Sequence, residues 1–160
     1  MHREMRRKDR ELTREEAVAM LEKAEYGILS TLSSDGTPYG VPISFILENN
    51  TIYLHMAKTG HKLDNILANP AVSFSVVGPA EPVVEGDSYS TFFESAIAFG
   101  KARLVEDAKE IRDALYILTE KYFPDNMDVF EASIAGNSLS RLYVVAIDIE
   151  HLSAKAKKKM

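Results

Sequence analysis

A four-residue segment, Thr59-Gly60-His61-Lys62, has residue types suited to binding an anion. A strand-like run, Thr51 to Met56, precedes it, and a short helix is predicted from about His61 to Ala68. Backbone N–H groups at a helix N-terminus lack intrahelical partners, and the helix dipole favours negative charge there. Gly60 would let an anion approach, Lys62 would add a positive charge, and the Thr59 hydroxyl would either cap the helix or bind a phosphate oxygen. The pattern predicts a phosphate site.

The spacing alone also permits a purely structural interpretation of these residues. Thr59 would then be an ordinary N-cap, Lys62 a solvated lysine and His61 an exposed histidine. His55 lies in an otherwise apolar strand, where a lone histidine is more often a hydrogen-bonded structural residue than a ligand. The spacing of the chain's four histidines matches no compact zinc signature, so we predict no metal site.

Short β-rich runs surround this segment and must position it. Three of them are separated by turn residues at 34–36 and 49–50: Tyr26 to Leu32, Tyr39 to Leu47 and Thr51 to Met56. Because Asp-Gly and Asn-Asn tolerate positive φ, we expect these strands to pair antiparallel in sequence order. Proline cannot donate to a β-ladder, so Pro42 should lie at an edge or a bulge where the sheet opens.

Helical patterns flank the β-rich region. Thr13 and Glu16 can form a capping box, which predicts a helix ending near Ala24. Apolar residues at helical spacing predict another helix from about Asp107 to Tyr122, and a further short helix is predicted from Asn126 to Ala135. Further strands are predicted at 71–77, 89–105 and 141–149, with a loop from Gly78 to Asp87. The fold class is therefore mainly β (α+β), an antiparallel barrel with flanking helices.

Length and composition limit the possible functions. A chain of 160 residues, 46% hydrophobic, is predicted to be one domain, with a basic arm at 1–12 and a basic tail at 155–160 that we expect to be solvated and frayed. The absence of cysteine excludes disulfides, thiolate catalysis and cysteine-bound metal. A net charge of -5 argues against nucleic acid as the main partner.

Nothing in the sequence predicts a membrane or secreted protein. The longest apolar runs, such as Leu142 to Ile149, are far shorter than the roughly 20 residues that a spanning helix needs. The first ten residues are charged and lack the apolar core of a secretory signal. We therefore expect a cytoplasmic protein.

The order of these elements resembles the FMN-binding split β-barrels related to pyridoxamine 5′-phosphate oxidase, over about Thr13 to Glu106. Four segments are most similar to the nitroimidazole-resistance (Nim) group: Tyr26 to Thr31, Gly40 to Phe45, Ile52 to Ala57 and Gly60 to Ile66. The resemblance implies a split barrel of about six strands with Greek-key-like connections. It also implies FMN as cofactor and a homodimer with the flavin at the subunit interface.

The resemblance assigns cofactor contacts residue by residue. His61 and Lys62 would hold the FMN phosphate, next to Thr59 and Gly60. Ser95, on a later strand, would also reach the flavin. The isoalloxazine ring would be lined by two segments: Val41, Pro42, Ile43 and Ser44 on one side, and His55, Met56, Ala57 and Lys58 on the other.

The implied activity is that of a flavin-dependent reductase. Electrons would pass from a reduced nicotinamide or another donor through FMN to a small acceptor such as an aromatic nitro group. His55 is the candidate catalytic proton donor, because histidine ordinarily titrates near neutral pH.

The chain also departs from the vitamin B6 oxidase itself. Pro42-Ile43-Ser44-Phe45 stands where that enzyme has an arginine-containing strand, and a lysine-rich tail replaces its arginine-rich C-terminal motif. Pyridoxamine phosphate is therefore not the expected substrate. Two alternatives stay open: the same barrel could bind FAD, haem or F420 instead, or the chain could be a non-catalytic flavin-binding protein.

Overall fold

A computed structural model describes residues 2–159, which contain four α-helices and seven strands. The helices are α1 (Arg14–Lys23), α2 (His61–Ala68), α3 (Ala108–Tyr122) and α4 (Met127–Ala135). The strands are β1 (Gly27–Leu32), β2 (Pro38–Ile43), β3 (Ile46–Glu48), β4 (Thr51–Ala57), β5 (Ala71–Glu85), β6 (Ser88–Leu104) and β7 (Leu142–Lys157). Within residues 2–159, none of the helices combines the length and the apolar character needed to cross a membrane.

The seven strands form one antiparallel sheet in the order β2-β1-β5-β6-β7-β4-β3. Its two edge strands are consecutive in the chain, since β2 ends at Ile43 and β3 begins at Ile46. The two residues between them, Ser44 and Phe45, can span no more than about 11 Å between those ends. The sheet must therefore curl until its edges meet, which gives a barrel split between β2 and β3. This confirms the predicted mainly-β split barrel with flanking helices.

The expected three-stranded meander is wrong. The predicted strand from Tyr39 to Leu47 is two strands, β2 paired with β1 and β3 paired with β4, at opposite edges of the sheet. The chain leaves the sheet at Ser44 and turns inward, because the Phe45 side chain is fully buried in the barrel core. Pro42 lies on the edge strand β2, as its missing N–H predicted.

The predicted loop from Gly78 to Asp87 is also wrong. Strands β5 and β6 continue as a hairpin to a turn at Gly86, where φ is 60°. A register shift between Val77 and Ala80 accommodates Pro79. Strand β1 pairs with β5 only over Ser73–Ser75, so the far part of β5, including Pro82, has β6 as its single partner. Prolines are tolerated where one side of a strand is unpaired.

The basic C-terminal segment is a strand as far as Lys157, which corrects the expectation of a frayed tail. Strand β7 is longer than predicted and pairs with both β4 and β6. Successive residues of β7 face the core and the solvent in turn, so a lysine is accommodated on the solvent side: Ala154 and Ala156 are buried while Lys155 between them is exposed. Near the N-terminus, a bridge joins Glu11 to Lys155.

The helices complete two apolar cores. Helix α1 begins with the predicted capping box, in which Glu16 N–H donates to the Thr13 hydroxyl oxygen at 3.2 Å, and it packs against the barrel core. Helix α3 covers the outer face of β4 and β7 and forms the second core. Leu115, Leu118, Phe130 and Val144 are buried there.

Candidate functional site

The first turn of α2 is not capped by a side chain. Gly60 is the N-cap residue, with φ 132° and ψ 167°, a conformation that is essentially restricted to glycine. A Cβ at Gly60 would have no atom within 4 Å, so the space in front of these amides is open. By contrast, Thr13 and Asp107 cap α1 and α3 through their side chains. The capping role considered for Thr59 is therefore wrong, and the first-turn amides are available to an anion.

His61 connects the start of α2 to the β1–β2 hairpin. Its Nε2 lies 2.8 Å from the Ser33 hydroxyl oxygen, and its ring centroid lies 4.2 Å from that of Tyr39. The imidazole is exposed but held on two sides. Ser33 and Tyr39 carry no local sequence signal for this role, since only the packing of α2 beside the β1–β2 hairpin brings them to the helix.

Lys62 is half-buried and makes no hydrogen bond or ion pair within residues 2–159. Its positive charge nevertheless acts on His55, on the neighbouring strand β4. The pKa of His55 lies below its ordinary value, chiefly because the surrounding protein removes solvent from the imidazole and secondly because of Lys62. His55 itself is exposed, so the imidazole keeps contact with solvent. The imidazole is mostly neutral at pH 7.

A buried polar pair fixes α2 against β1. The Asn65 side-chain amide donates to the Thr31 hydroxyl at 2.9 Å, and both residues are at most 5% exposed. The Thr31 hydroxyl in turn donates to the Tyr39 carbonyl at 3.4 Å. This pair sets the position of the helix that presents His61 and Lys62. The sequence signal was a polar residue between Leu63 and Ile66 on the apolar side of a short helix.

The predicted ring-lining residues differ in which atoms they could offer. Val41 and Ile43 pack against the barrel core, whereas Pro42 and Ser44 are exposed beside the split. Met56 is buried in the core, so it could reach a ligand only through its backbone.

Further along β4, Ala57 and Lys58 are exposed, and the Lys58 ammonium lies 5.0 Å from the centroid of the Tyr143 ring. Ile46 pairs with Tyr53, and Ser44 and His55 each lie two residues along the chain from this pair. The two predicted lining segments therefore approach each other at the split.

The C-terminal end of α3 holds the short connection across the split. The Lys121 ammonium donates to the carbonyl oxygens of Phe45 at 2.9 Å and Ala24 at 2.7 Å. Phe45 N–H donates to the Tyr122 hydroxyl oxygen at 3.0 Å. Burial lowers the pKa of Lys121. Lys121 carries no sequence signal for this role, because nothing in a helical pattern distinguishes a lysine that points inward at the helix end.

Ser95 lies apart from the other predicted residues within one chain. It pairs with Val77 on β5 and Lys155 on β7. Ser30 on β1 pairs with Ser73 on β5. The C-terminal end of β1, which contacts α2, therefore lies next to Ala71 at the start of β5. Val77 lies six positions after Ala71 along β5, which corresponds to about 20 Å. The structure therefore groups His55 to Lys62 with the split, but not with Ser95.

The sequence profile of the pyridoxamine 5′-phosphate oxidase family matches residues 13–156, which is most of the chain. The chain belongs to this family. The resemblance inferred from the Thr59–Lys62 segment and its neighbouring strands is thereby confirmed. A comparison with curated protein sequences gave no match.

Three solved structures illustrate the proteins that share this fold. A candidate 5-nitroimidazole antibiotic resistance protein from Bacteroides thetaiotaomicron is 25% identical, with a TM-score of 0.78 over 92% of this chain and 90% of that chain. A flavocytochrome from Azotobacter vinelandii is 17% identical, with a TM-score of 0.82 over 98% of this chain and 73% of that chain. An FAD-binding protein from Mesorhizobium loti is 24% identical, with a TM-score of 0.65 over 93% and 98%. At their levels of identity, the last two show the fold alone.

Proposed function

We propose that this chain is an FMN-binding reductase of the nitroimidazole-resistance type. The observation that supports this most directly is the uncapped start of α2, where Gly60 leaves open space and Lys62 is half-buried without a partner. The family assignment supports the choice of a flavin, and the likeness to the Bacteroides protein supports the nitroimidazole-resistance type. Small anions and phosphate esters suit such a helix start.

The residues of the site divide into two groups by what they could bind. His61, Lys62, the Thr59 hydroxyl and the first-turn amides of α2 would hold the phosphate. Pro42 and Ser44, with the backbone of Val41 and Ile43, would flank the ring on the side of the split. His55, Ala57 and Lys58, with the backbone of Met56, would flank it on the other side. The bound flavin would supply the redox chemistry, taking electrons from a reduced nicotinamide or another donor.

His55 is the residue that would move a proton to the acceptor. Its lowered pKa leaves it mostly neutral at pH 7 when Lys62 is unpaired. A phosphate bound to Lys62 would offset the ammonium charge and raise the pKa of His55, so that more of the imidazole is protonated. Proton donation would thus depend on an occupied anion site.

We further propose a homodimer in which the flavin lies between two chains. Ser95 and His61 are separated by about 20 Å along the sheet within one chain. We therefore assign the Ser95 contact to a second copy of the chain, whose β6 would complete the flavin site.

The cofactor assignment is tested by titrating the purified full chain with FMN and with riboflavin, which lacks the phosphate. We expect Lys62→Gln to weaken FMN binding about tenfold, through loss of one charge-assisted hydrogen bond of about 1.5 kcal/mol. Riboflavin binding should stay unchanged. The matched control is Lys23→Gln, an exposed lysine on α1. Equal losses for the two ligands would contradict the phosphate assignment.

The spectrum and mass of the co-purified molecule separate the remaining cofactors. A haem absorbance band, or the mass of FAD or F420, would replace FMN in the assignment.

Catalysis is tested by steady-state reduction of a nitroaromatic acceptor with reduced nicotinamide. We expect His55→Ala to lower turnover about a hundredfold while FMN stays bound. Unchanged turnover in that variant would remove His55 from the mechanism. Absence of turnover in the parent protein would favour the non-catalytic flavin-binding alternative.

A further inference from the structure

A cavity of about 630 Å³ lies between α3, the segment after α4 and the outer face of β7. Its volume is in the range of small-molecule binding sites. Most of its wall is apolar, including Ile111, Leu115, Ile134, Leu139 and Val144. A wall of this kind favours an apolar ligand, because such a ligand replaces water that the wall cannot hydrogen-bond.

The charges at the edge of this cavity favour an anionic group on that ligand. Lys58 and Arg112 contribute positive charges and Glu106 one negative charge. Lys58 has no hydrogen bond or ion pair within residues 2–159, and its ammonium lies over the Tyr143 ring. Arg112 makes one exposed contact of 3.4 Å with Glu131, which is weak enough to exchange. A ligand with an apolar body and one carboxylate matches this arrangement.

The cavity lies next to His55. Along β4, Leu54 and Met56 point into the barrel core, so His55 and Ala57 occupy the opposite face. His55 pairs directly with Val144, which is part of the cavity wall, and Ala57 pairs with Leu142, which is also part of it. Directly opposed residues share a face, with Cβ atoms about 5 Å apart. A molecule in the cavity would therefore lie close to the proposed proton donor.

We propose that this cavity is the acceptor site and that it takes a ring-sized aromatic carboxylate. The identification of the ligand as the electron acceptor rests on the proposed reductase function. The binding of an aromatic carboxylate does not, because it follows from the apolar wall and the unpaired Lys58. Neutral aromatic molecules of the same size would bind through the wall alone.

The test measures binding of 4-nitrobenzoate and of neutral nitrobenzene by calorimetry, with the oxidised protein and no electron donor. Leu139→Trp should fill the cavity and weaken the binding of both compounds at least about tenfold. Lys58→Gln should weaken the binding of 4-nitrobenzoate about fivefold and leave the binding of nitrobenzene unchanged. The controls are Val129→Trp, an exposed position on α4 outside the cavity, and Lys23→Gln. Both controls should bind like the parent protein.

Steady-state kinetics give a second measurement on the FMN-loaded protein. For 4-nitrobenzoate, Leu139→Trp should raise KM with FMN still bound. Unchanged binding and KM in Leu139→Trp would overturn the cavity assignment while leaving the reductase proposal intact. If the chain binds no flavin, the reductase proposal fails, and calorimetry with the full chain still decides whether the cavity binds the carboxylate. Equal effects of Lys58→Gln on the charged and neutral compounds would overturn the carboxylate preference.

Discussion

Lys62 and His55 are electrostatically coupled although one lies on a helix and the other on a strand. Burial is the larger cause of the lowered His55 pKa, and the Lys62 charge is the second. The two contributions can be separated by removing the charge without changing the burial. The coupling also gives His55 a way to respond to an anion bound at α2.

We predict that Lys62→Gln raises the pKa of His55 while leaving it below the ordinary histidine value. The rise follows because the protonated imidazole no longer faces a positive charge, and the remaining depression follows because the ring is still desolvated. NMR titration of the imidazole signals measures both. The control variant Lys23→Gln should leave the pKa of His55 unchanged. A His55 pKa that falls or stays constant in Lys62→Gln would contradict the coupling.

Among individual residues, those whose role depends on the local backbone conformation could be predicted from the sequence. The Thr59–Lys62 segment was identified because a helix start is a local feature. Ser33 and Asn65 were missed because their contacts join residues 28 and 34 positions apart. Those contacts require the packing of α2 against β1, which no local pattern specifies. The lowered pKa of His55 was missed for the same reason.

Among the elements, α2 is joined to β1 by a buried hydrogen bond between side chains, in addition to the packing of Leu63 and Ile66 in the core. We predict that Asn65→Leu lowers the free energy of unfolding by about 1–3 kcal/mol, because the buried Thr31 hydroxyl loses its amide donor. The double variant with Thr31→Val should lose less than the sum of the two single changes. Urea unfolding of all four proteins gives the double-mutant cycle. Strict additivity would show that the pair is not coupled.

Helix α3 stabilises the split through Lys121. We predict that Lys121→Met lowers the free energy of unfolding by about 1–3 kcal/mol, because the Ala24 carbonyl loses its side-chain donor and the Phe45 carbonyl keeps only the one from Tyr122. Lys109→Met on the same helix is the control. Lys109 makes only an exposed ion pair with Asp113, so its loss should cost less than about 0.5 kcal/mol. Similar losses in the two variants would contradict a specific role for Lys121.

Helix limits were predicted better than strand limits. Caps and apolar spacing are local, so α2 was predicted at its observed bounds and α1 with its capping box. The prolines at 79 and 82 indicated a loop because they were judged without knowledge of the neighbouring strands. Whether a proline is tolerated depends on which side of a strand is unpaired, and that is decided by distant parts of the chain.

For the whole molecule, the separation of Ser95 from the α2 start leads to a prediction about assembly. We predict a mass of twice 17.8 kDa in sedimentation experiments on the flavin-loaded protein. Lys62→Gln and Ser95→Trp should each weaken FMN binding. A refolded equal mixture should regain tight binding at roughly a quarter of the sites, since half the dimers are mixed and each mixed dimer has one intact site. A single-chain mass, or no recovery in the mixture, would contradict the shared site.

Strand β7 follows all the other strands in the chain but lies between β6 and β4 in the sheet. The pairing of β4 with β7 joins residues such as Thr51 and Asp148, which are 97 positions apart. Strand pairing between residues so far apart in the sequence slows folding. While the ribosome is still making the chain, the hydrogen-bonding edges of β4 and β6 have no partner until β7 emerges. His55, which pairs with β7, therefore reaches its final surroundings only after β7 has been synthesised.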